Sequence, residues 1–306
     1  MFKLLSKESN IFSIPVYLGF LSLIVILFNI FNFNSLSLIS AIITFAGIAL
    51  GYFLFIKIDL TYQTHLPLFF YTFFIFGLYP GYLDIGIAVS LLTNSFILLL
   101  LTNQDETEKN SSYLLVGSIL AVNFIFLPTT FPLTVFVILH IISTSGRIGL
   151  NIFRLFFGMT LVTIAYFSFA YFFNLNNWDS AYLPIIDLKI LSDFYPLYFL
   201  VPVLIFLIYA VFNHFGNYNK KSPTSRYKYT FLLVYSLAQM VTIFLYMGKN
   251  QEYLLLMAFP ATIIISRMLR FLPKYWMREL CLWVCIFSLI LYKTFNYFNL
   301  FLNFAG

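Results

Sequence analysis

The chain has 306 residues, of which 61% are hydrophobic and 9% charged, at a mean hydropathy of +0.93. That is far more apolar surface than a water-soluble domain of this length can hide in one core, which makes the bilayer its solvent. The net charge of +6 would suit nucleic acid if it were clustered, but Lys and Arg at the ends of membrane helices set orientation, and their placement here excludes nucleic acid as a partner.

In chain order, the first apolar run, Ile11 to Phe33, follows Lys3 and Lys7. It is too long for the roughly 7- to 15-residue apolar core of a signal peptide and has no small-residue cleavage motif after it, so it reads as an uncleaved span. A hydrocarbon core about 30 Å thick needs roughly 20 apolar residues as helix. Runs of that kind lie near 11 to 33, 37 to 57, 66 to 79, 84 to 102, 113 to 127, 131 to 143, 150 to 173, 195 to 214, 229 to 247, 253 to 272 and 280 to 299. The segments 66 to 79, 113 to 127 and 131 to 143 are short. The hairpins 66 to 102 and 113 to 143 close on Leu78-Tyr79-Pro80-Gly81 and on Leu127-Pro128-Thr129-Thr130-Phe131-Pro132, Pro and Gly being the residues that turn a chain. The two are a tandem repeat or a common way of turning at a membrane face.

The expected fold is therefore all-α, a single integral membrane domain over residues 1 to 306. It is a polytopic transmembrane helical bundle of about eleven spans, or nine to ten where a short hairpin is re-entrant. With alternating sides, all Lys and Arg except Lys189, Lys249 and Lys293 fall on the side of the N-terminus. The positive-inside rule then makes the N-terminus cytoplasmic and the C-terminus extracytoplasmic. Residues 215 to 228 become a basic cytoplasmic loop and 174 to 195 the longest extracytoplasmic one.

The outer side carries the acids on which catalysis would rest. Asp84 follows Pro80-Gly81-Tyr82-Leu83 at the start of a span, where it either reacts or caps the helix. The 174 to 195 loop holds Trp178, Asp179, Asp187, Lys189 and Asp193. It is either a solvated loop with Trp178 and Tyr182 as interfacial anchors, or a sugar or cation site with Trp178 as stacking platform and Asp179 or Asp187 as base or ligand. On the inner side, Arg267, Arg270, Lys274 and Arg278 would share one helical face but for Pro273. Together with Lys220, Lys221, Arg226 and Lys228 they suit anionic headgroups or a polyprenyl-phosphate lipid, or simply obey the positive-inside rule.

The three histidines, His65, His140 and His214, all fall at expected cytoplasmic helix ends and are too few for an intramembrane iron site. Cys281 and Cys285, four apart in one apolar helix, fit neither a disulfide framework nor zinc. No cofactor and no metal is expected. At mid-depth the polar residues are Asn94, Asn123 and Gln239, with no ionisable group among them, which counts against a proton-driven carrier and leaves helix-to-helix hydrogen bonding as their role.

Residues Tyr113 to Phe173 read as short helix, aromatic-Pro turn, short helix, a basic patch at Arg147 and Arg154, and a long span ending in Tyr166 to Phe173. That stretch resembles the hairpin pattern of GT-C-type glycosyltransferases, which take a sugar from a polyprenyl-phosphate carrier at the outer face. The short loops throughout and the basic segment after Leu272-Pro273 resemble an uncharacterised family of polytopic inner-membrane proteins of Bacteroidota. The first likeness implies an acidic catalytic motif in the first outer loop, where this chain has Asn34-Ser35-Leu36. A catalytic role would have moved to Asp84 or to the 174 to 195 loop; otherwise the chain is a non-catalytic relative. The expectation is a bacterial inner-membrane subunit or scaffold working with the lipid bilayer and other envelope proteins. A factor for polyprenyl-linked glycans and a lipid or small-molecule transporter are the alternatives.

Overall fold

In a computed structural model, residues 1–10, 12–29, 35–61, 63–102, 106–173, 188–191, 194–195, 197–218 and 222–305 are described, the side chains of 106–111 and 297–305 excepted. The apolar runs become helices because each backbone N–H and C=O is satisfied within its own segment, as an apolar solvent demands. In order they are α1 (Phe2–Leu5), α2 (Ser13–Asn29), α3 (Ser35–Ile58), α4 (His65–Leu78), α5 (Ile85–Leu101), α6 (Glu106–Phe126), α7 (Phe131–Thr144), α8 (Ile148–Phe172), α9 (Val201–Gly216), α10 (Pro223–Tyr246), α11 (Ala258–Phe271) and α12 (Tyr275–Ala305). Tighter 3-10 turns at Leu197–Leu200 and Gln251–Met257 lead into α9 and α11, and one at Pro128–Thr130 joins α6 to α7. Among the described residues the only strand-like pairing is the isolated bridge of Glu8 to Thr64.

Among the described residues six segments are long and apolar enough to cross a membrane: Ser35–Ile58, Ile148–Phe172, Leu197–Gly216, Pro223–Tyr246, Gln251–Phe271 and Tyr275–Asn296. Five apolar helices are shorter. The expected first span of 11 to 33 is described over Ser13–Asn29 as α2, and α5 follows the expected 84 to 102 to within one residue at each end. In the α4–α5 turn Gly81 sits at φ +117 with an added Cβ only 2.8 Å from the Phe28 carbonyl oxygen, so glycine is required there.

Contacts between helix ends sort them into two sets. At the N-terminal end, the Met1 ammonium pairs with Glu279 at 2.7 Å, His65 N–H donates to the Lys7 carbonyl at 3.2 Å, and Lys228 donates to the Ile58 carbonyl at 2.9 Å. At the opposite end, Asn29 and Lys293 converge on Tyr79, Asp84 meets Glu252, Thr129 meets Tyr253, and Leu191 N–H donates to the Phe244 carbonyl.

Between the two ends the core is centred on α4 and α11, every α11 residue from Ala258 to Leu269 being buried. Tyr52 and Phe55 of α3, Tyr71 of α4 and Phe259 of α11 meet edge-on or tilted, at centroid separations of 5.0 to 5.7 Å. The Tyr52 hydroxyl is satisfied by Thr72 Oγ1 at 2.6 Å. Helices α3 and α5 run parallel, Ser40 Oγ donating to the Leu83 carbonyl and Ser95 Oγ to the Gly47 carbonyl. Helix α8 lies at the periphery and turns Phe153, Phe157, Leu161 and Ile164 outward, the opposite of a soluble surface and suited to lipid. Of the mid-depth amides, Asn123 takes the expected role, accepting from Ser90 Oγ of α5 at 2.6 Å. The buried amide of Asn94 departs from it, with no hydrogen-bond partner among the described residues. Cys281 and Cys285 are both free.

Candidate functional site

Of the outer acids, Asp179, Asp187 and Asp193, with Trp178, lie outside the described residues. Asp84 occupies the N-cap position of α5, yet its side chain makes no capping bond. Its backbone N–H instead donates to Glu252 Oε2 at 2.9 Å. Two carboxylate residues therefore adjoin at this end, beside the Thr129–Tyr253 hydroxyl contact of 3.0 Å. Glu252 was not singled out by sequence because it lies 168 residues from Asp84 and only the packing of the Gln251–Met257 turn beside α5 brings them together.

The basic run is divided by Pro273. Helix α11 ends at Phe271, and Arg278 of α12 turns back, donating from Nε to the Leu272 carbonyl at 2.8 Å with its guanidinium 5.7 Å from the Phe2 ring. Lys274 is exposed. Arg267 and Arg270 remain together and line a cavity of about 270 Å³ with Asp59, Ser222, Ser225 and Ser266. Arg267 donates from Nη2 to Ser225 Oγ at 2.7 Å and from Nη1 to the Leu60 carbonyl at 3.4 Å, and stacks 4.6 Å from the centre of the Tyr229 ring. Lys228 beside it holds the Ile58 carbonyl, the last of α3, where a cation offsets the negative helix end. The positive-inside rule names the side for these cations; the structure adds that two of them fasten α3 to α10 and α11. Lys220 and Lys221 lie outside the described residues.

The histidines are dispersed. His140 Nε2 meets the Tyr227 hydroxyl at 3.0 Å, His214 Nε2 meets Thr230 Oγ1 at 3.2 Å, and His65 opens α4. Among the described residues no three His, Cys, Asp or Glu side chains group as metal ligands would.

At the opposite end a groove of about 380 Å³ opens between α4, α9, α10 and α11. Its lining is almost wholly apolar, with Phe74, Leu200, Leu204, Phe244, Met257 and Ala261 contributed by those elements and the turns leading into them. Leu191, Phe194 and Leu197, the described edge of the long outer segment, form its rim. That edge is pinned to α10, since Gly248 N–H donates to the Lys189 carbonyl and Leu191 N–H to the Phe244 carbonyl, each at 3.0 Å. The groove and the cavity share α10 and α11, and on α10 the 15-residue step from Ser225 to Met240 puts them about 22 Å apart.

No curated protein and no solved structure matches the chain. A family model described as a family of unknown function, DUF6427, matches residues 1–301.

Proposed function

The chain belongs to the DUF6427 family, and from that premise we propose that it is a multi-pass inner-membrane protein holding a lipid chain in its apolar groove, as a non-catalytic subunit or scaffold of an envelope complex. The observation that carries this reading is the groove itself. A gap of about 380 Å³ with an apolar lining, at the end of the bundle where the long 174 to 195 segment returns, offers a hydrocarbon chain dispersion contacts and offers a sugar or ion almost nothing to bond.

The proposed topology has about eleven crossings, N-terminus cytoplasmic and C-terminus extracytoplasmic. It is supported by the gathering of Lys3, Lys7, Arg147, Arg226, Lys228, Arg267, Arg270 and Arg278 at or near one end of the bundle. Fusions of alkaline phosphatase after Asn250 are expected to be active and fusions after Asn217 inactive. Equal activity at the two junctions would defeat the topology.

Lipid occupancy is read by native mass spectrometry of the protein extracted in mild detergent. Wild-type protein is expected to retain lipid, and Leu204→Trp, which fills the groove from the half-open face of α9, to retain several-fold less. Leu161→Trp on the outer face of α8 is the control, expected to match wild type. Equal retention by all three would remove the groove as a lipid site. The same spectra address the scaffold, since recovery of the chain with no stoichiometric partner protein speaks against it.

A second reading, a GT-C-like transferase or other factor for polyprenyl-linked glycans, draws on the adjoining Asp84 and Glu252 at the same end as the groove. A polyprenyl phosphate as the retained lipid would favour it; a diacyl lipid would favour the subunit.

A further inference from the structure

At the N-terminal end of the bundle the cavity lined by Ser266, Arg267 and Arg270 has the chemistry of an anion site, and we infer that it binds a phosphate group. Four features meet there. The guanidinium groups of Arg267, which is 9% exposed, and of half-buried Arg270 bring positive charge to a cavity of about 270 Å³. Arg267 is held in place by Ser225 at 2.7 Å and by the Tyr229 ring, so its position does not have to be ordered when an anion arrives. The N-terminus of α10, a helix of 24 residues, lies at the same cavity, with Ser222 as N-cap accepting from Ser225 N–H at 3.3 Å. Pro223 has no N–H and the Ser225 N–H is taken by the cap, so what this end offers an anion is chiefly the positive end of the helix dipole.

The fourth feature is independent of the helix end. Ser266 lines the cavity, is 3% exposed, and its Oγ has no hydrogen-bond partner among the described residues. A buried hydroxyl left without a partner costs stability unless something satisfies it, and an anionic oxygen in the cavity would accept its proton. Asp59, held at φ +50, also lines the cavity, which leaves two guanidinium groups facing one carboxylate. A doubly charged phosphomonoester or inorganic phosphate competes with that carboxylate better than a singly charged anion does, because its oxygens can take bidentate arginine and the serine hydroxyls at once.

The phosphate can come from a lipid headgroup in the adjacent leaflet or from solution, and the test has an arm for each. The full-length protein in detergent is titrated with inorganic phosphate, and the protein in nanodiscs of phosphatidylcholine is compared with nanodiscs carrying phosphatidic acid, binding being followed by the rise in unfolding temperature. Wild type is expected to be stabilised in at least one arm. Ser266→Ala is expected to weaken that binding about tenfold and Arg270→Gln at least tenfold. Each variant is compared with its own unliganded unfolding temperature, which keeps a loss of stability apart from a loss of binding, and Ser266→Ala, which removes no hydrogen bond found among the described residues, should unfold near the wild-type temperature without ligand. Stabilisation by inorganic phosphate alone assigns the site to a soluble anion, and stabilisation by phosphatidic acid alone assigns it to a headgroup. No stabilisation in either arm, or stabilisation that neither variant diminishes, overturns the inference.

Discussion

Replacement of Gly158 by leucine is expected to destabilise the purified protein by about 3 kcal/mol, the upper part of the usual range for overpacking. A Cβ on Gly158 would run into the Leu114 carbonyl oxygen and approach Ser118 N to 3.1 Å, and one on Gly117 would run into the Leu155 carbonyl oxygen and come within 2.9 Å of its carbon. Backbone, not flexible side chain, is what each would strike, so α6 and α8 must separate to admit it. In lipid there is no hydrophobic force drawing helices together, and close approach at small residues supplies the attraction instead. Helix α8 depends on that contact, because Phe153, Phe157, Leu161 and Ile164 face outward. Gly149 is the internal control: it lies on the same helix with nothing within 4 Å of an added Cβ, and Gly149→Leu should stay within about 0.5 kcal/mol of wild type. Unfolding followed in detergent for both variants checks the pair, and equal midpoints would show that α6 and α8 are not closely packed.

Arg267→Ala is expected to cost about 3 kcal/mol as well, by a different route. The charged hydrogen bond to Ser225 at 2.7 Å accounts for the larger part and the Tyr229 stacking for the next, while the Leu60 carbonyl at 3.4 Å adds little. Loss of the side chain leaves the α10 start, the α3–α4 connection and the end of α11 without their common cation. Arg267→Lys keeps a charge but not the planar fork that bonds Ser225 while lying on Tyr229, and is expected to recover about half of the loss. Full recovery by lysine would mean that charge alone matters at this position.

Both residues illustrate how much of the molecule was legible beforehand. The succession of apolar helices could be read because the demand that every backbone group bond within its own segment is local, and a run of apolar residues meets or fails it alone. The gathering of the cations at one end could be read because alternation converts a linear order into two sides. The α5 boundaries lie within one residue of the expected 84 to 102, whereas the close fit of Gly81 under the Phe28 carbonyl had no signal in the order of residues. The Asp84 side chain makes no capping bond, and its backbone N–H donates to Glu252 of a distant turn, a contact that no local pattern announces.

The candidate site was legible only in part. Arg267 and Arg270 stood out as charges at helical spacing, but Ser266 beside them has no sequence signal at all, since one serine in an apolar helix is ordinary. Its meaning depends on being buried, unbonded and at a cavity, which are properties of the neighbouring elements. Likewise Gly117 and Gly158 lie 41 positions apart and in no recurring motif.

The sequence by itself determined that this is an apolar, helical chain and pointed to one end for most of its basic residues, because helix formation in lipid and charge placement follow from short segments taken singly. Tertiary structure alone decided which helices touch backbone to backbone, which of the cations fasten α3 to α10 and α11, and where a groove and a cavity open. Those depend on side chains far apart in the chain filling, or failing to fill, the same few ångströms of space.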